Sequence, residues 1–360
     1  MSLVQSIARH RSAAAHAPGV VQSGVVQSGR VIYPIVLAGI GSYLPPTVLT
    51  AAAFDAMVGK PRGWSERISG VRTRHVVKDE TVIDMAAAAA RQAIAEAEIS
   101  PRHLDCIIAT GALAHQPIPT SAVLIQRALG LQTSGIPAFD VNATCLGFVA
   151  GLDLAGALIA GGRYRTVLVT AADMPSRGTR CDDPEVKALF GDGAAAVVVR
   201  RSTNPGQGVL AIRMETYGEG AGACTLRAGG TALSPHSDLA AFLDASWFEV
   251  DGPLADRVSA RHMSGFFARL LEAAGVTLDD INLVVPHQAS AHALHLMRRK
   301  LHVPEEKLVD LLAERGNQVS ASIPSMLDHA IATGRAKSGD MILLIGVAAG
   351  ITLGGAVIRL

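Results

Sequence analysis

The chain is organised around Ile136–Gly162, which runs IPAFDVNATCLGFVAGLDLAGALIAGG. The stretch opens with a short apolar run, typical of a buried strand, and Asp140 and Asn142 then supply turn chemistry. The segment after Cys145 is long enough for a helix and carries a single charge, Asp153. A helix that is apolar on every side is a buried one. We therefore expect Cys145 at the first turn of a buried helix, at the tip of a strand-to-helix elbow.

Two interpretations of Cys145 follow from this position. Unpaired backbone N–H groups and the positive end of a helix favour a thiolate, which would make Cys145 a nucleophile. The alternative is a structural cysteine, because a lone buried Cys commonly behaves as a small apolar residue. Two polar motifs later in the chain favour the nucleophile.

Composition limits the classes of function. The chain has 360 residues, which suggests two domains or one duplicated domain, and 49% of them are hydrophobic against 18% charged. A formal net charge of +1 gives no strong electrostatic attraction to nucleic acid or to an anionic membrane. The cysteines, Cys106, Cys145, Cys181 and Cys224, form no CxxC pair and no zinc spacing. They indicate free thiols in a reducing cytoplasm, and no metal site is predicted.

Two segments bear on localisation. Residues 1–30 lack an unbroken apolar core, so we expect a disordered N-terminal extension and no cleaved signal peptide. Met341–Ile358 carries no charge over nearly the length of a membrane span. Its clustered glycines favour two buried strands joined by a turn, so no membrane segment is predicted.

Strand and helix patterns alternate along the chain, and they do so twice. Such alternation predicts βαβ units and a largely parallel sheet covered on both faces. Residues 31–204 close on the runs TVLVTAA and GAAAVVVRR, and residues 205–360 close on MILLIGVAA and LGGAVIRL in the same order. The repeated order predicts an α/β fold of two duplicated halves, with two buried helices meeting at a pseudo-twofold axis.

The two further polar motifs lie where predicted strands end. His287 follows a strand in VVPHQAS, and Asn317 precedes a helix in RGNQVSASIP. Ligands of open α/β sheets bind at the carboxyl ends of the strands. Taken alone, His287 is a candidate structural histidine and Asn317 a candidate turn residue. Together with Cys145 they predict a catalytic site.

These residues resemble the β-ketoacyl-acyl carrier protein synthase III branch of the thiolase-fold condensing enzymes. Four motifs carry the resemblance: Thr144–Phe148, Phe190–Gly193, Pro286–Ala289 and Gly316–Pro324. The resemblance covers about residues 31–360 and implies a thiolase-like fold, with two duplicated halves layered α-β-α-β-α. Elongating ketosynthases carry a second His at the Asn317 position. Biosynthetic thiolases carry a second Cys in the terminal glycine-rich turn, and this chain has neither feature.

The resemblance also implies a mechanism. Cys145 takes an acyl group from acyl-CoA, and the helix N-terminus and His287 are expected to favour its thiolate. His287 and Asn317 then stabilise the enolate formed when malonyl-acyl carrier protein loses CO₂. The enolate attacks the acyl-enzyme, with the backbone N–H groups of Cys145 and Ala349 as the oxyanion hole. The product is a 3-oxoacyl-acyl carrier protein for fatty acid or specialised acyl or polyketide biosynthesis, and no cofactor is implied.

By the same resemblance, four residues belong to the binding site for CoA or the carrier protein. They are Trp64, Arg67, Ser290 and His292. Arg67 lies one residue before the family's position, while Ser290 and His292 replace the family's Asn and Arg. These departures suggest a specialised paralogue as readily as the housekeeping enzyme.

The acyl pocket is expected to involve Ile118, Leu146, Val347 and Leu353. In relatives restricted to acetyl-CoA, an aromatic residue at the Ile118 position reaches across from the partner subunit and closes the pocket. A phenylalanine is usual at the Val347 position. The smaller side chains here predict a preference for medium-chain or branched acyl groups, unless Leu146 and Leu353 fill the space.

Two other functions stay open at this point. One is an acyltransferase of the same fold that passes the acyl group to an oxygen, nitrogen or sulfur nucleophile without decarboxylation. The other is a non-catalytic partner subunit, which the complete Cys-His-Asn set disfavours. Enzymes of this fold pair across sheet edges, and the low share of charged residues also favours a homodimer.

Overall fold

The computed structural model describes residues 31–180 and 182–360. The expectations for residues 1–30 and for the Cys181 thiol therefore lie outside the described residues. Within those residues, no helix is long and apolar enough to cross a membrane.

The described strands are β1 (Ile35–Tyr43), β2 (Val48–Thr50), β3 (Thr73–His75), β4 (Cys106–Ala109), β5 (Ala138–Asp140), β6 (Thr166–Asp173), β7 (Gly193–Arg201), β8 (Gly208–Thr216), β9 (Cys224–Thr225), β10 (Glu249–Val250), β11 (Leu283–Pro286), β12 (Met341–Ala348) and β13 (Thr352–Arg359). The helices are α1 (Ala51–Met57), α2 (Trp64–Ser69), α3 (Val82–Glu96), α4 (Ser121–Ala128), α5 (Gly147–Ala160), α6 (Pro175–Gly178), α7 (Pro184–Lys187), α8 (Leu239–Asp244), α9 (Gly252–Ala274), α10 (Ala291–Leu301), α11 (Leu312–Arg315) and α12 (Ser322–Ala332). The uncharged stretch Met341–Ile358 forms β12 and most of β13, as predicted.

Two main sheets repeat one strand order. The first runs β1-β7-β6-β4-β5 and the second runs β8-β13-β12-β11. In the position equivalent to β5, an isolated parallel bridge joins Val284 of β11 to Leu308. The predicted duplication is therefore confirmed.

The prediction of a largely parallel sheet is wrong. Between the named strands, parallel pairing is confined to β5-β4-β6 in the first sheet and to β11-β12 in the second. Strand β7 pairs antiparallel with both β6 and β1, and β13 pairs antiparallel with β12 and β8. A parallel neighbour needs a crossover connection that usually contains a helix. Among the described residues, the connection from β6 to β7 holds only one-turn helices, and a tight turn separates β12 from β13, so these strands return antiparallel.

The elements stack in five layers. Helices α5 and α12 pack between the two sheets within the largest apolar core. Helices α3 and α4 cover the outer face of the first sheet, and α9 and α10 cover the second. The predicted α-β-α-β-α arrangement is confirmed. All 8 residues of β6 are buried between these layers, which explains its Val- and Ala-rich sequence.

Candidate active site

The turns that precede α5 and α12 border a cavity of about 750 Å³. Cys145, His287 and Asn317 all line it, although they come from three separate loops. Most other lining residues are apolar, and among the described residues no lysine or arginine reaches it. Such a cavity suits an apolar ligand that a few polar groups hold in one orientation.

Cys145 lies on one turn of 3₁₀ helix, Thr144–Leu146, that leads directly into α5. The side chain of Asn142 shapes this turn: its Oδ1 accepts from the Thr144 N–H at 2.8 Å, and its Nδ2 donates to Ala112 O at 2.9 Å. Thr144 adopts a left-handed φ of 48°. Gly147 follows, and any Cβ there would overlap the carbonyl oxygen of Thr110. The sequence N-A-T-C-L-G therefore builds the expected elbow, with the thiol facing the cavity.

The expected thiolate is wrong for this structure. Burial raises the pKa of the Cys145 thiol to about 12, and the nearby Asp173 and Cys224 add to the rise. The backbone N–H groups of Ala349 and of Cys145 itself lie close enough to lower this pKa, but they do not offset the burial. Cys145 is therefore a neutral thiol at pH 7, and its proton must leave during the reaction.

His287 follows β11, and its backbone N–H donates to Ile345 O at 2.8 Å. The residue is only 5% exposed, and burial lowers the pKa of its imidazole to about 4. Its Nδ1 is buried and has no hydrogen-bond partner among the described residues. A neutral imidazole has one N–H to donate and one nitrogen that accepts, so His287 can serve as either partner for a ligand in the cavity.

Asn317 is held by the motif Phe190–Gly193. Its N–H donates to Leu189 O at 2.8 Å, and its carbonyl accepts from the Gly191 N–H at 3.1 Å. Its side-chain Oδ1 accepts from Val319 N at 2.8 Å, while Nδ2 donates to Ala289 O at 3.1 Å. One amide proton of Nδ2 remains for the cavity, because each amide nitrogen carries two.

Comparisons with known proteins show the family of this chain. The model of 3-oxoacyl-[acyl-carrier-protein] synthase III matches residues 139–218, and the model of that family's C-terminal part matches residues 271–360. A β-ketoacyl-[acyl-carrier-protein] synthase III of Aquifex aeolicus is 35% identical over 323 residues, which cover 90% of this chain and 98% of the relative. The chain belongs to the β-ketoacyl-[acyl-carrier-protein] synthase III family.

Solved structures extend this likeness. The crystal structure of 3-oxoacyl-[acyl-carrier-protein] synthase III from A. aeolicus matches with a TM-score of 0.81 at 34% identity, over 91% of this chain and 100% of that one. The priming β-ketosynthase of the R1128 polyketide biosynthetic pathway matches with a TM-score of 0.82 at 28% identity, over 94% of this chain and 98% of that one. The thiolase-like fold expected from the sequence is therefore confirmed.

In this family member, the four residues expected at the acyl pocket fall in three places. Val347 and Leu353 line the cavity. Leu146 does not, because it points to the buried side of the elbow and packs against Gly346 and Gly354. Ile118 is 85% exposed on a surface loop and does not reach the cavity of its own chain. The prediction for Leu146 is wrong. Ile118 was expected to act across a partner subunit, and that stays a prediction.

The four residues expected to bind CoA or the carrier also separate. Ser290 lines the cavity and caps α10, because its hydroxyl accepts from Ala293 N at 3.1 Å. His292 lines the cavity as well, with its Nε2 at 3.3 Å from Asp256 Oδ2. Trp64 and Arg67 lie on α2, outside the cavity, where Lys60 Nζ stands 5.2 Å from the centre of the Trp64 ring.

Sequence reasoning missed several polar residues of the cavity wall, among them Asn142, Cys224 and Asp173. Asn142 stands in the sequence only as a turn residue, Cys224 lies in a glycine-rich stretch without a strong pattern, and Asp173 stands one residue beyond a predicted strand. An acidic residue at the end of a strand that carries no other charge was the available signal for Asp173, because buried carboxylates are rare unless hydrogen-bonded.

Proposed function

We propose that this chain catalyses an acyl-primed, decarboxylative Claisen condensation with malonyl-acyl carrier protein and releases a 3-oxoacyl-acyl carrier protein. The observation that carries the proposal is the convergence of Cys145, His287 and Asn317 on one apolar cavity, with the Ala349 N–H beside the Cys145 thiol. Family membership supports the same reaction.

Acyl transfer comes first. The Cys145 sulfur attacks the carbonyl carbon of an acyl-CoA thioester, its proton leaves, and CoA departs as the thiol. Because the Cys145 pKa is raised to about 12, proton removal accompanies attack in this scheme. The backbone N–H groups of Cys145 and Ala349 stabilise the tetrahedral oxyanion, and one such donor is typically worth about 3 kcal/mol.

Condensation follows. Malonyl-acyl carrier protein loses CO₂, and the enolate oxygen receives hydrogen bonds from neutral His287 and from the Asn317 amide. The enolate carbon attacks the acyl-enzyme, the C–S bond to Cys145 breaks, and a proton restores the thiol. The low pKa of His287, about 4, supports its role as a neutral donor at physiological pH. This chemistry requires no metal or redox cofactor.

Substrate binding and assembly belong to the same proposal. Ser290 and His292 would contact the pantetheine-bearing substrates at the cavity, and Trp64 and Arg67 would contact CoA outside it. The three-residue strand β5 forms one edge of the first sheet, and Leu113, with 49% exposure, and Ile118 are exposed apolar residues. Pairing of such edges would give a homodimer, which light scattering at micromolar concentration tests. A free thiol nucleophile also favours a reducing cytoplasm.

The test separates the two half-reactions. Intact-protein mass spectrometry after incubation with acyl-CoA should show one acyl group, and peptide mapping should place it on Cys145. CO₂ release from malonyl-acyl carrier protein should follow. Acylation without CO₂ release, with transfer to another nucleophile, would favour the acyltransferase. No acylation by any thioester would favour a non-catalytic partner subunit.

A further inference from the structure

Asp173 is a buried carboxylate at the cavity wall. It is the last residue of β6, is 3% exposed, and lines the cavity that holds Cys145. Four donors surround it: Oδ1 accepts from Ala112 N at 2.9 Å and Leu113 N at 3.3 Å, and Oδ2 accepts from the backbone N–H, at 3.0 Å, and the hydroxyl of Ser320.

These donors come from both halves of the molecule. Ala112 and Leu113 follow β4 in the first half, whereas Ser320 lies in the second half, in the 3₁₀ turn Val319–Ala321. That turn packs directly against the Thr144–Leu146 turn that carries the nucleophile. Asp173 therefore links two segments. One is the Val319–Ala321 turn, which packs against the Cys145 turn, and the other is the loop at Ala112, whose carbonyl accepts from the Asn142 amide.

We propose that Asp173 is a positioning residue for the condensation. Its carboxylate binds the Val319–Ala321 turn to the first half of the molecule and so fixes the Cys145 turn within the cavity. This inference rests on the proposed function, since it assigns a role in that reaction. Asp173 does not itself react in this scheme. All four of its hydrogen bonds go to the protein.

The carboxylate also has an electrostatic effect on the thiol. Burial raises the pKa of Asp173 to about 6, against the lowering by its four donors, so the group is ionised at pH 7 and above. Its charge raises the pKa of Cys145. The other titratable side chains that face this cavity are Cys224, Asp256, His287 and His292. Removal of the Asp173 charge should therefore lower the Cys145 pKa, whereas removal of a buried carboxylate outside the cavity should not move it.

Asp192 provides a matched control. It is also fully buried, and it accepts from Val77 N at 2.8 Å and from the N–H and hydroxyl of Ser176 at 3.0 and 2.6 Å. Burial raises its pKa as well, but its side chain does not line the cavity. Asp173→Asn and Asp192→Asn thus make the same chemical change at two buried, hydrogen-bonded sites.

The first measurement is the rate of Cys145 alkylation by iodoacetamide between pH 6.5 and 9.5, followed by peptide mass. Each unit by which the Cys145 pKa falls raises the thiolate fraction about tenfold, and the weaker nucleophile reduces the gain to about threefold. Asp173→Asn should alkylate faster than wild type above pH 7, and the difference should shrink towards pH 6, where wild-type Asp173 becomes protonated. Asp192→Asn should follow the wild-type profile.

The second measurement uses Ser320→Ala, which keeps the charge of Asp173 and removes one of its hydrogen-bond donors. This variant also provides the test if Asp173→Asn does not fold. Condensation kcat should fall at least fivefold with KM for acyl-CoA within twofold, and the alkylation rate at pH 8 should stay within twofold of wild type. The proposal is overturned if both variants keep wild-type kcat, or if Asp192→Asn gives the same alkylation change as Asp173→Asn. If wild-type Cys145 accepts no acyl group, the proposed function fails, while the alkylation profiles still decide the effect of Asp173 on the thiol.

Discussion

The turn before α5 and the turn before α12 are built alike. In each, an Asn side chain accepts from the N–H two residues later at 2.8 Å: Asn142 from Thr144 and Asn317 from Val319. Each amide nitrogen donates to an alanine carbonyl after the neighbouring strand. Thr144 and Val319 both take a left-handed φ, 48° and 52°, which is costly for β-branched residues. In both halves this residue begins a 3₁₀ turn, and a buried helix follows.

The two turns differ at the residue after the strained one. Cys145 presents a thiol to the cavity, whereas the equivalent Ser320 is fully buried and gives its hydroxyl to Asp173. At the equivalent of His287, the first half has Thr110, which bonds to Thr170 O at 2.8 Å. Duplication thus supplied two similar supports, and the residue after the strained one, with its partners, is the main difference between the reactive turn and the anchoring turn.

The largest expected effect tests the difference between Cys145 and Ser320 directly. Cys145→Ala should form no acyl-enzyme, and adding Ser320→Cys to it should not restore one, because position 320 is buried and faces Asp173. Intact-protein mass spectrometry after incubation with acyl-CoA measures the acyl group in both variants. An acyl group on the thiol introduced by Ser320→Cys in the double variant would show that the two turns are interchangeable.

The next effect compares the two asparagines. Asn317→Ala, like His287→Ala, should still self-acylate but lose decarboxylation by about 100-fold, the typical cost of removing a donor to an oxyanion. Asn142→Ala loses the bond that shapes the Cys145 turn, so it should slow acylation by less than tenfold and leave decarboxylation nearer to wild type. Rates of acylation and of CO₂ release from malonyl-acyl carrier protein check this. Equal losses in both variants would assign Asn317 to turn geometry alone.

A stability difference comes third. Gly147→Ala places a Cβ against the Thr110 carbonyl oxygen, which cannot move without disturbing β4, so we expect a loss of about 3 kcal/mol. The equivalent residue in the second half is Ser322, whose hydroxyl accepts from Gln318 N at 3.2 Å. Ser322→Ala should cost about 1 kcal/mol, the usual net value of one hydrogen bond. Urea unfolding measures both, and a tolerated Gly147→Ala would mean that the elbow can shift.

Much of this arrangement could be predicted from the sequence. The buried helix after Cys145, the repeated order of elements and the strand-end positions of His287 and Asn317 are all readable, because periodicity and turn residues are local signals. The direction of β7 and β13 was not readable from the alternation of strands and helices, since direction depends on what each connection contains.

Other features depend on contacts that no local pattern records. Leu146 faces the core because of the 3₁₀ turn, and the sequence, which led us to expect it at the pocket, does not show that direction. The neutral Cys145 thiol results from burial and from Asp173, which outweigh the backbone N–H groups of Ala349 and Cys145. Asp173 and Ser320 meet across 147 residues of chain, so their link was visible only in the folded structure.

The smallest expected effect concerns the preferred length of the acyl chain. It compares a residue of the cavity wall with a residue of the surface loop. Val347 lines the cavity and Ile118 does not, so Val347→Phe should reduce the space within one chain, whereas Ile118→Phe should act only through a partner subunit. Burial of each methylene contributes about 0.8 kcal/mol, or about fourfold in rate, so two lost methylene positions would change the preference between medium-chain and acetyl groups by about 15-fold. We expect wild-type Cys145 to be acylated faster by medium-chain or branched acyl-CoA than by acetyl-CoA, and Val347→Phe to reverse that order. Acylation rates over a series of chain lengths test this. A wild-type optimum at acetyl-CoA would show that the cavity beside Cys145 holds the pantetheine arm and leaves no room for a longer chain.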